Sequence, residues 1–332
     1  MKKIGITTTV PSEVLLAAGY QPVDLNNIFS TSDDYKALIN RAERDGFPKS
    51  MCAVIKGIYG VCKTEDIDTV IGVLEGDCSS TKVLLEVLEL HGVKMIPFGF
   101  PHGRGREDLK NYIDRLMDTL NVTIEQVEKK RKELFALREL GKRIDELTYI
   151  DNKASGFENH LSLVCFSDYD GDAIKFESEL RKKIVEIEKR EAYKDEIRIA
   201  YLGVPPMTED IYEYVESLGA RVVYNETQRE FMFPRASDAS DIYEQYRDFT
   251  YPYDNKFRLI EIEKQIELRE IDCVIHYTQA FCHRAVEDIL IKNKLSIPVL
   301  NIEGDKDSSL DARSKLRLEA FLDMIKDVRR KK

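Results

Sequence analysis

Short apolar runs rich in β-branched residues alternate with amphipathic helical segments along this chain. The clearest run, residues 68–74 (DTVIGVL), is almost continuously apolar and is followed by the turn sequence GDCSST and an amphipathic helix. A run of this kind is typical of a parallel strand buried on both faces, and the helix after it of a crossover connection. In the first hundred residues we predict strands at residues 3–7, 22–26, 68–74 and 93–98.

The same alternation returns in the last 140 residues or so, where we predict strands at residues 197–204, 221–224, 272–277 and 297–302. The sequence thus predicts two similar α/β units with parallel sheets, joined by helices. We expect an N-terminal unit with a helical extension (1–150), a helical linker (151–195) and a C-terminal unit (196–332).

Two segments within these units carry more specific predictions. Thr123 and Gln126 have the spacing of a capping box, which predicts the start of one long charged helix. Residues 226–255 are rich in Tyr, Phe, Asp and Pro and are predicted to form a long loop, a kind of segment that is often functional.

Charge and hydropathy exclude several classes of protein. The chain has 50 Lys and Arg against 60 Asp and Glu, a formal charge of −10, which disfavours nucleic-acid binding. No apolar run approaches the roughly 20 residues that span a bilayer. The first ten residues contain no apolar segment of the secretory kind, so we expect a soluble, cytoplasmic protein.

Three of the six cysteines occupy places where parallel-sheet proteins bind ligands. Cys78 and Cys282 each follow a predicted strand and open a helix, and Cys52 lies near the start of another helix. A helix N-terminus favours thiolate, which both nucleophiles and soft-metal ligands require. Without any CxxC pair, a local zinc site is disfavoured, whereas three converging cysteines suit an iron–sulfur cluster with one open iron. The alternative is that these cysteines serve as small core residues.

The remaining cysteines are interpreted differently. Cys165 and Cys273 lie in apolar segments and are predicted to be core residues. Cys62 lies ten residues after Cys52 on the same helix, about 15 Å away, which is too far for one cluster. It remains a candidate ligand of a second cluster.

Several other side chains are candidates for chemistry near these cysteines. Lys56, Tyr59, Glu75 and His283 are catalytic candidates, either for substrate contact or for proton handling, although solvated or packed side chains are the alternative.

The loop FGFPHGRGR offers a candidate contact for phosphate. Its His102 and Arg104 are candidates for binding an anionic substrate, the alternative being a mobile basic loop.

Six stretches in the same order resemble the 2-hydroxyacyl-CoA dehydratase and benzoyl-CoA reductase family of iron–sulfur proteins. The first of them reads VPSEVLLAAGYQPVDL and the last IPVLNIEGDKDSSLDARSKLRLEAFLDMI. The resemblance runs almost end to end and is carried by residues 10–25, 50–60, 76–81, 201–226, 271–282 and 297–325.

This resemblance implies two flavodoxin-like (Rossmann-like) lobes with a 4Fe-4S cluster in the cleft between them, held by Cys52, Cys78 and Cys282. It also implies an ATP-hydrolysing iron–sulfur activator protein that injects one low-potential electron. In the dehydratases that electron makes a ketyl radical from the thioester carbonyl, and the hydroxyl leaves as water. Arg258 falls where the family has an arginine, and we treat it as a candidate substrate ligand.

Three alternatives remain open at this point. Some relatives bind a double-cubane 8Fe-9S cluster and reduce small molecules, which would employ Cys62. A non-catalytic iron–sulfur carrier or assembly protein would use the same fold without thioester turnover. A metal-free binding module would leave the three cysteines apart. We expect a homodimer, the commonest assembly, with a heterodimer as the alternative.

Overall fold

Two four-stranded parallel sheets organise the residues described by the computed structural model, which are 2–65, 67–194 and 196–330. The first sheet consists of β1 (Lys2–Ile6), β2 (Tyr20–Asp24), β3 (Thr69–Glu75) and β4 (Lys94–Gly99). The second consists of β5 (Ile197–Gly203), β6 (Ala220–Asn225), β7 (Cys273–Gln279) and β8 (Val299–Gly304).

The two sheets share one strand order. The first runs β2-β1-β3-β4 and the second β6-β5-β7-β8, with every neighbouring pair parallel. In each sheet the second strand along the chain lies on one side of the first strand, and the third and fourth strands lie on its other side. Flavodoxin-like folds have the same arrangement. The predicted α/β class with two parallel sheets is confirmed, and the observed strands match the predicted ones to within two residues at every end.

The helices of the described residues are α1 (Ser12–Ala17), α2 (Leu25–Thr31), α3 (Tyr35–Arg44), α4 (Ala53–Thr64), α5 (Ser80–Leu90), α6 (Arg106–Leu120), α7 (Ile124–Glu133), α8 (Phe135–Tyr149), α9 (Gly156–Val164), α10 (Ala173–Glu188), α11 (Asp210–Ser217), α12 (Glu226–Phe231), α13 (Ile242–Arg247), α14 (Asn255–Leu268), α15 (Glu287–Lys294) and α16 (Ala312–Arg330). Short 3₁₀ helices cover Cys165–Ser167, Tyr169–Gly171 and His283–Val286. Within this described part of the chain, no helix has both the length and the apolar composition needed to cross a bilayer.

The second sheet shows why its strands are continuously apolar. Ile199 and Tyr201 of β5 pack in one core cluster with α11 and α16. Ala200 and Leu202, which point to the opposite face, pack in another with α14 and α15. Because helices cover both faces, every position of β5 except Arg198 is buried.

Of the two predictions made for the segment that begins at Thr123, one is confirmed and one is wrong. The capping box of Thr123 and Gln126 is confirmed, with both of its hydrogen bonds present. However, the single long helix predicted after it is wrong, because the helix is interrupted at Leu134 between α7 and α8. The interruption is slight, since the Leu134 N–H still donates to the carbonyl oxygen of Lys130.

The predicted long loop at residues 226–255 is also wrong in part, because it contains α12 and α13. The Asp241 carboxylate caps α13 by accepting a 2.9 Å hydrogen bond from the Glu244 N–H. Short capped helices of this kind lack the repeated apolar spacing that sequence analysis detects.

The chain divides into two compact units. The first contains residues 1–139, 165–178 and 230–254, and the second residues 140–164, 179–229 and 255–332. The predicted three-part division at residues 150 and 195 stays a prediction about folding units. Its limits at residues 1, 195 and 332 lie outside the described residues.

Two carboxyl groups lie buried together in the first unit. The Asp24 N–H donates a 2.8 Å hydrogen bond to Oδ2 of Asp168, and the Asp170 N–H donates a 3.1 Å bond to its Oδ1. Asp24 and Asp168 are 4% and 7% exposed. Burial, together with the neighbouring Asp24 charge, raises the pKa of Asp168 to about 7.

A raised carboxyl pKa gives a pH dependence of definite sign. The contribution of Asp168 to the free energy of unfolding is fully present at pH values below the pKa that its carboxyl has in the unfolded chain. It is lost as the pH rises through the pKa of about 7 that the carboxyl has in the folded protein. We therefore expect Asp168→Asn to have a lower free energy of unfolding than wild type at low pH. This difference should shrink by roughly 1 kcal/mol per pH unit as the pH rises from about 5 to 7. Urea unfolding at several pH values measures this difference, and a difference independent of pH would contradict the prediction.

Candidate functional site

Cys52 lies at the start of α4 in the first unit. It is the N-cap residue, with a non-helical backbone, and its thiol is half-buried. Two glycines fix the helix behind it, since a Cβ at Gly57 would lie 2.2 Å from the ring of Phe29, and one at Gly60 would lie 2.6 Å from the carbonyl oxygen of Leu38. Because neither neighbour leaves room for a side chain, packing holds α4, and Cys52 with it, in one position.

The catalytic candidates Lys56 and Tyr59 point into the interior of this unit. Lys56 is 3% exposed, and its Nζ lies 2.8 Å from Oε1 of Glu43. The Tyr59 hydroxyl donates a 2.8 Å hydrogen bond to the Asp45 carboxylate. Burial, followed by the Asp45 hydrogen bond, raises the pKa of Tyr59 to about 12. Both side chains thus make the contacts of packed residues, and a catalytic role for either stays a prediction.

The three other cysteines differ in burial. Cys62 on α4 is 7% exposed, and burial raises the pKa of its thiol to about 12. Cys273 is fully buried in the core of the second unit, as predicted, and burial raises its thiol pKa as well. Cys165, also predicted to be a core residue, is only half-buried. Burial keeps Cys62 and Cys273 as neutral thiols at neutral pH.

Cys78 lies in the loop between β3 and α5, at the carboxyl edge of the first sheet, and is half-buried. Burial raises the pKa of its thiol, and the neighbouring Asp77 charge adds to that rise. Hydrogen bonds from Ser80 and from the Thr81 N–H act in the opposite direction by favouring the thiolate. The pKa of Cys78 is therefore raised overall, although the helix dipole alone would lower it, because desolvation is the largest influence.

Glu75 and Gly76 shape the start of this loop. Oε1 of Glu75 accepts a 3.2 Å hydrogen bond from the His102 N–H, and Oε2 accepts a 3.0 Å bond from the Tyr112 hydroxyl. Gly76 has a φ of +86°, and a Cβ there would lie 2.4 Å from the carbonyl oxygen of Pro252. The loop that carries Cys78 therefore has a closely packed, specific backbone path.

Gly76→Ala is expected to destabilise the protein by roughly 2–4 kcal/mol, since it combines backbone strain with a steric clash. Gly92→Ala is the matched control, because Gly92 also has a positive φ (+84°) but has open space where its Cβ would lie. The control is expected to cost only about 1 kcal/mol of strain. If urea unfolding shows that both variants lose the same free energy of unfolding, the close approach of Gly76 to Pro252 has no role in stability.

The substrate-binding candidates of the first unit lie in the loop before α6. His102 is exposed, while Arg104 is half-buried with a φ of +55°. Nε of Arg104 donates a 3.1 Å hydrogen bond to the Arg247 carbonyl oxygen, and its guanidinium lies 5.5 Å from the ring centroid of Tyr253. Burial lowers the pKa of Arg104. Arg104 is therefore held by residues 247–253, and only His102 of the two is openly exposed.

Cys282 occupies the corresponding place in the second unit. It follows β7, is half-buried, and is the N-cap residue of the 3₁₀ helix His283–Val286. Its N–H donates a 3.0 Å hydrogen bond to the Gln279 carbonyl oxygen. Phe281, just before it, has a φ of +64°, a left-handed conformation that is strained for a bulky side chain. The turn that presents Cys282 is therefore a strained one.

Two further candidates lie close to this turn in the sequence. Desolvation and the neighbouring Arg284 charge lower the pKa of His283, so it is neutral at pH 7. Arg258 on α14 is 1% exposed, and its guanidinium binds the Glu226 carboxylate through two hydrogen bonds of 2.6 and 2.7 Å. Arg258, predicted as a substrate ligand, thus lies in the interior with its donors in use.

The carboxylates that hold this arginine were not predicted from the sequence. Glu226 opens α12 and Glu287 opens α15, and both contact Arg258. Glutamates at helix starts are common on surfaces, so nothing in the local sequence distinguished them. Only the fold reveals ion pairs between residues about thirty positions apart.

The donor chemistry of Cys52, Cys78 and Cys282 fits an iron–sulfur cluster. Thiolates are the usual ligands of such clusters, and Cys52, Cys78 and Cys282 each lie at or just before a helix start. Cys52 and Cys78 belong to the first unit and Cys282 to the second. Across residues 2–65, 67–194 and 196–330, no three His, Cys, Asp or Glu side chains form a group able to hold a metal ion.

Comparison with known proteins identifies the family. A search of the curated proteins finds no match to the chain. The family model described as 2-hydroxyglutaryl-CoA dehydratase, D-component, matches residues 7–325. This range includes seven of the eight strands, all except β1 (Lys2–Ile6), and all three candidate cysteines. The chain therefore belongs to the 2-hydroxyglutaryl-CoA dehydratase D-component family.

Proposed function

We propose that this protein is an iron–sulfur enzyme that carries out radical dehydration or reduction of a CoA-thioester substrate, with Cys52, Cys78 and Cys282 holding a 4Fe-4S cluster. The observation that carries the proposal is the family match across residues 7–325, nearly the whole chain. The match supports a dehydratase-like activity, and we extend it to a cluster and a radical reaction.

When bound, such a cluster supplies one-electron transfer and, at an iron without a protein ligand, a Lewis acid. The protein residues hold and tune the ligands. Ser80 and Thr81 favour thiolate at Cys78, and packing around Gly57 and Gly60 fixes α4 behind Cys52.

The remaining site candidates are assigned by chemistry. His102, together with Arg104, is proposed to contact an anionic part of the substrate, and the exposure of His102 supports this. Glu75 and His283, which flank the loops of Cys78 and Cys282, are the proposed proton-handling groups. Arg258 is considered separately below.

The proposed reaction consumes low-potential electrons, and the family match supports a partner protein that supplies them. We propose an ATP-hydrolysing iron–sulfur activator protein as the electron donor, and a cytoplasmic homodimer as the working assembly. A heterodimer with a related subunit is the alternative.

Cys62 distinguishes the single cluster from a double cubane. Its thiol is buried with a pKa of about 12, and it lies on the side of α4 that packs inside the unit. An additional cluster ligand is normally a thiolate that can be reached. The burial of Cys62 therefore favours a 4Fe-4S cluster over an 8Fe-9S cluster.

The proposed function is tested by turnover. Anaerobically purified protein, reduced by an ATP-dependent activator, is incubated with CoA thioesters of 2-hydroxy acids, and the products are identified by mass spectrometry. We expect loss of water from at least one thioester and none from the matching free acid. A protein that binds iron but converts no thioester would instead be an iron–sulfur carrier.

A further inference from the structure

A chain of buried ion pairs leads from the interior of the second unit to the turn of Cys282. Arg258 Nη1 donates a 2.5 Å hydrogen bond to Glu287 Oε2, in addition to its two bonds with Glu226. Oε1 of Glu287 accepts a 3.0 Å bond from Arg284, which lies two residues after Cys282. Glu226 opens α12, so this chain joins the end of β6 to the Cys282 turn through α14 and α15.

Three members of this chain are buried, and the side chain of the fourth, Glu287, is 12% exposed. Arg258 is 1% exposed, Glu226 1% and Arg284 4%. Burial raises the pKa of Glu287, but the Arg258 and Arg284 charges outweigh that effect and lower it to about 2. Glu287 is thus charged at neutral pH, and it binds two guanidinium groups. Removing one guanidinium would leave buried carboxylates without a full set of partners.

The Cys282 turn needs such a restraint. Phe281 is held at a φ of +64°, yet its side chain is 64% exposed and gains little from packing. Strained backbone of this kind persists only where the surrounding structure determines it. Arg284 is the buried side chain of the 3₁₀ helix that follows Cys282, and Glu287 binds it.

We propose that Arg258 is a positioning residue for Cys282: through Glu287 and Arg284 it fixes the turn that presents the Cys282 thiol. The role of Cys282 as a cluster ligand rests on the proposed function, whereas the restraint on the turn does not. This assignment replaces substrate binding by Arg258, because its Nε, Nη1 and Nη2 all donate to protein groups.

The restraint is measured in metal-free protein, as the rate at which iodoacetamide alkylates Cys282, followed by peptide mass spectrometry. Arg258→Met is expected to raise that rate roughly tenfold, because local opening exposes the thiol. The rate at Cys52, in the other unit, should stay unchanged. Arg258→Lys keeps the charge but loses the guanidinium fork, so it is expected to raise the rate by less than Arg258→Met does.

Arg269→Met is the matched control. Arg269 immediately follows α14, is also 1% exposed and also binds a buried carboxylate, that of Asp145. Its loss should lower overall stability without changing the alkylation rate of Cys282. An unchanged rate in Arg258→Met, or an equal increase in Arg269→Met, would overturn the proposal. Should Arg258→Met fail to fold, Glu287→Gln tests the same chain with a smaller change.

A second readout uses the loaded protein. If the wild type binds iron, Arg258→Met should alter the electron paramagnetic resonance spectrum of the reduced protein, and Arg269→Met should not. A wild type without iron would contradict the proposed function, while the alkylation rates would still decide the role of Arg258.

Discussion

Cys78→Ser is expected to remove most of the iron from the anaerobically purified protein, and Cys52→Ser and Cys282→Ser are expected to do the same. A serine hydroxyl ionises far less readily than a thiol and is a poor ligand for iron, so one lost ligand of three leaves the cluster weakly held. We expect each variant to retain less than about one iron of the four that a cubane contains. Iron and acid-labile sulfide per chain measure this loss.

Cys165→Ser is the matched control for these variants. Cys165 is half-buried, like the three candidate ligands, but the sequence analysis assigns it no metal. Its substitution should leave the iron content unchanged. Loss of iron from Cys165→Ser, or full iron in any of the three ligand variants, would contradict the assignment. Loss of iron from Cys62→Ser would point instead to the double cubane.

Glu13→Ala is expected to have the largest effect on stability. Glu13 is fully buried at the start of α1, where its carboxylate accepts hydrogen bonds from Arg138, from Gln245 (2.7 Å) and from the Tyr246 hydroxyl (2.8 Å). Removing it leaves the Arg138 guanidinium, 2% exposed, as a buried charge without its carboxylate. Loss of one partner from a buried ion pair costs about 3–5 kcal/mol.

Urea unfolding of Glu13→Ala measures this loss, with Glu86→Ala as the control. Glu86 is an exposed glutamate on α5, where substitution is expected to change the free energy of unfolding by less than about 0.5 kcal/mol. A loss below about 1 kcal/mol in Glu13→Ala would contradict the importance of the buried pair.

The pH dependence of the Glu13 contribution has a definite sign. Burial alone would raise the pKa of this carboxyl, but the Arg138 charge and the hydrogen bonds outweigh it and lower the pKa. Its stabilisation is therefore present above the unfolded pKa of about 4.5 and is lost as the pH falls through the folded value. The contribution of Asp168 to the free energy of unfolding changes with pH in the opposite direction. The protein is therefore expected to lose the Glu13 contribution as the pH falls and the Asp168 contribution as the pH rises.

The strands were predictable from sequence because burial on both faces leaves a continuous apolar signature. The run at residues 68–74 became β3, and the run at 272–277 became β7 with two further residues at its end. The helix starts near Cys78 and Cys282 followed from turn residues after the strands, and the start near Cys52 followed from residues 47–50. These local features place the candidate ligands without any knowledge of tertiary contacts.

Long-range ion pairs were not predictable, and they determine the surroundings of several candidates. The partner of Lys56 lies 13 residues earlier, and that of Arg258 lies 32 residues earlier. A sequence read locally gives a lysine or arginine the environment of a surface residue. That residues 230–254 belong to the first unit could not be predicted from the sequence for the same reason. It depends on contacts such as that between Gln245 and Glu13.

The most direct test of the account is the iron and acid-labile sulfide content of the wild-type protein, purified without oxygen. A single 4Fe-4S cluster predicts about four iron and four sulfide per chain. About eight irons would contradict the single cluster and favour a double cubane that employs Cys62. No iron after careful reconstitution would contradict the cluster altogether and leave the three cysteines without their proposed role.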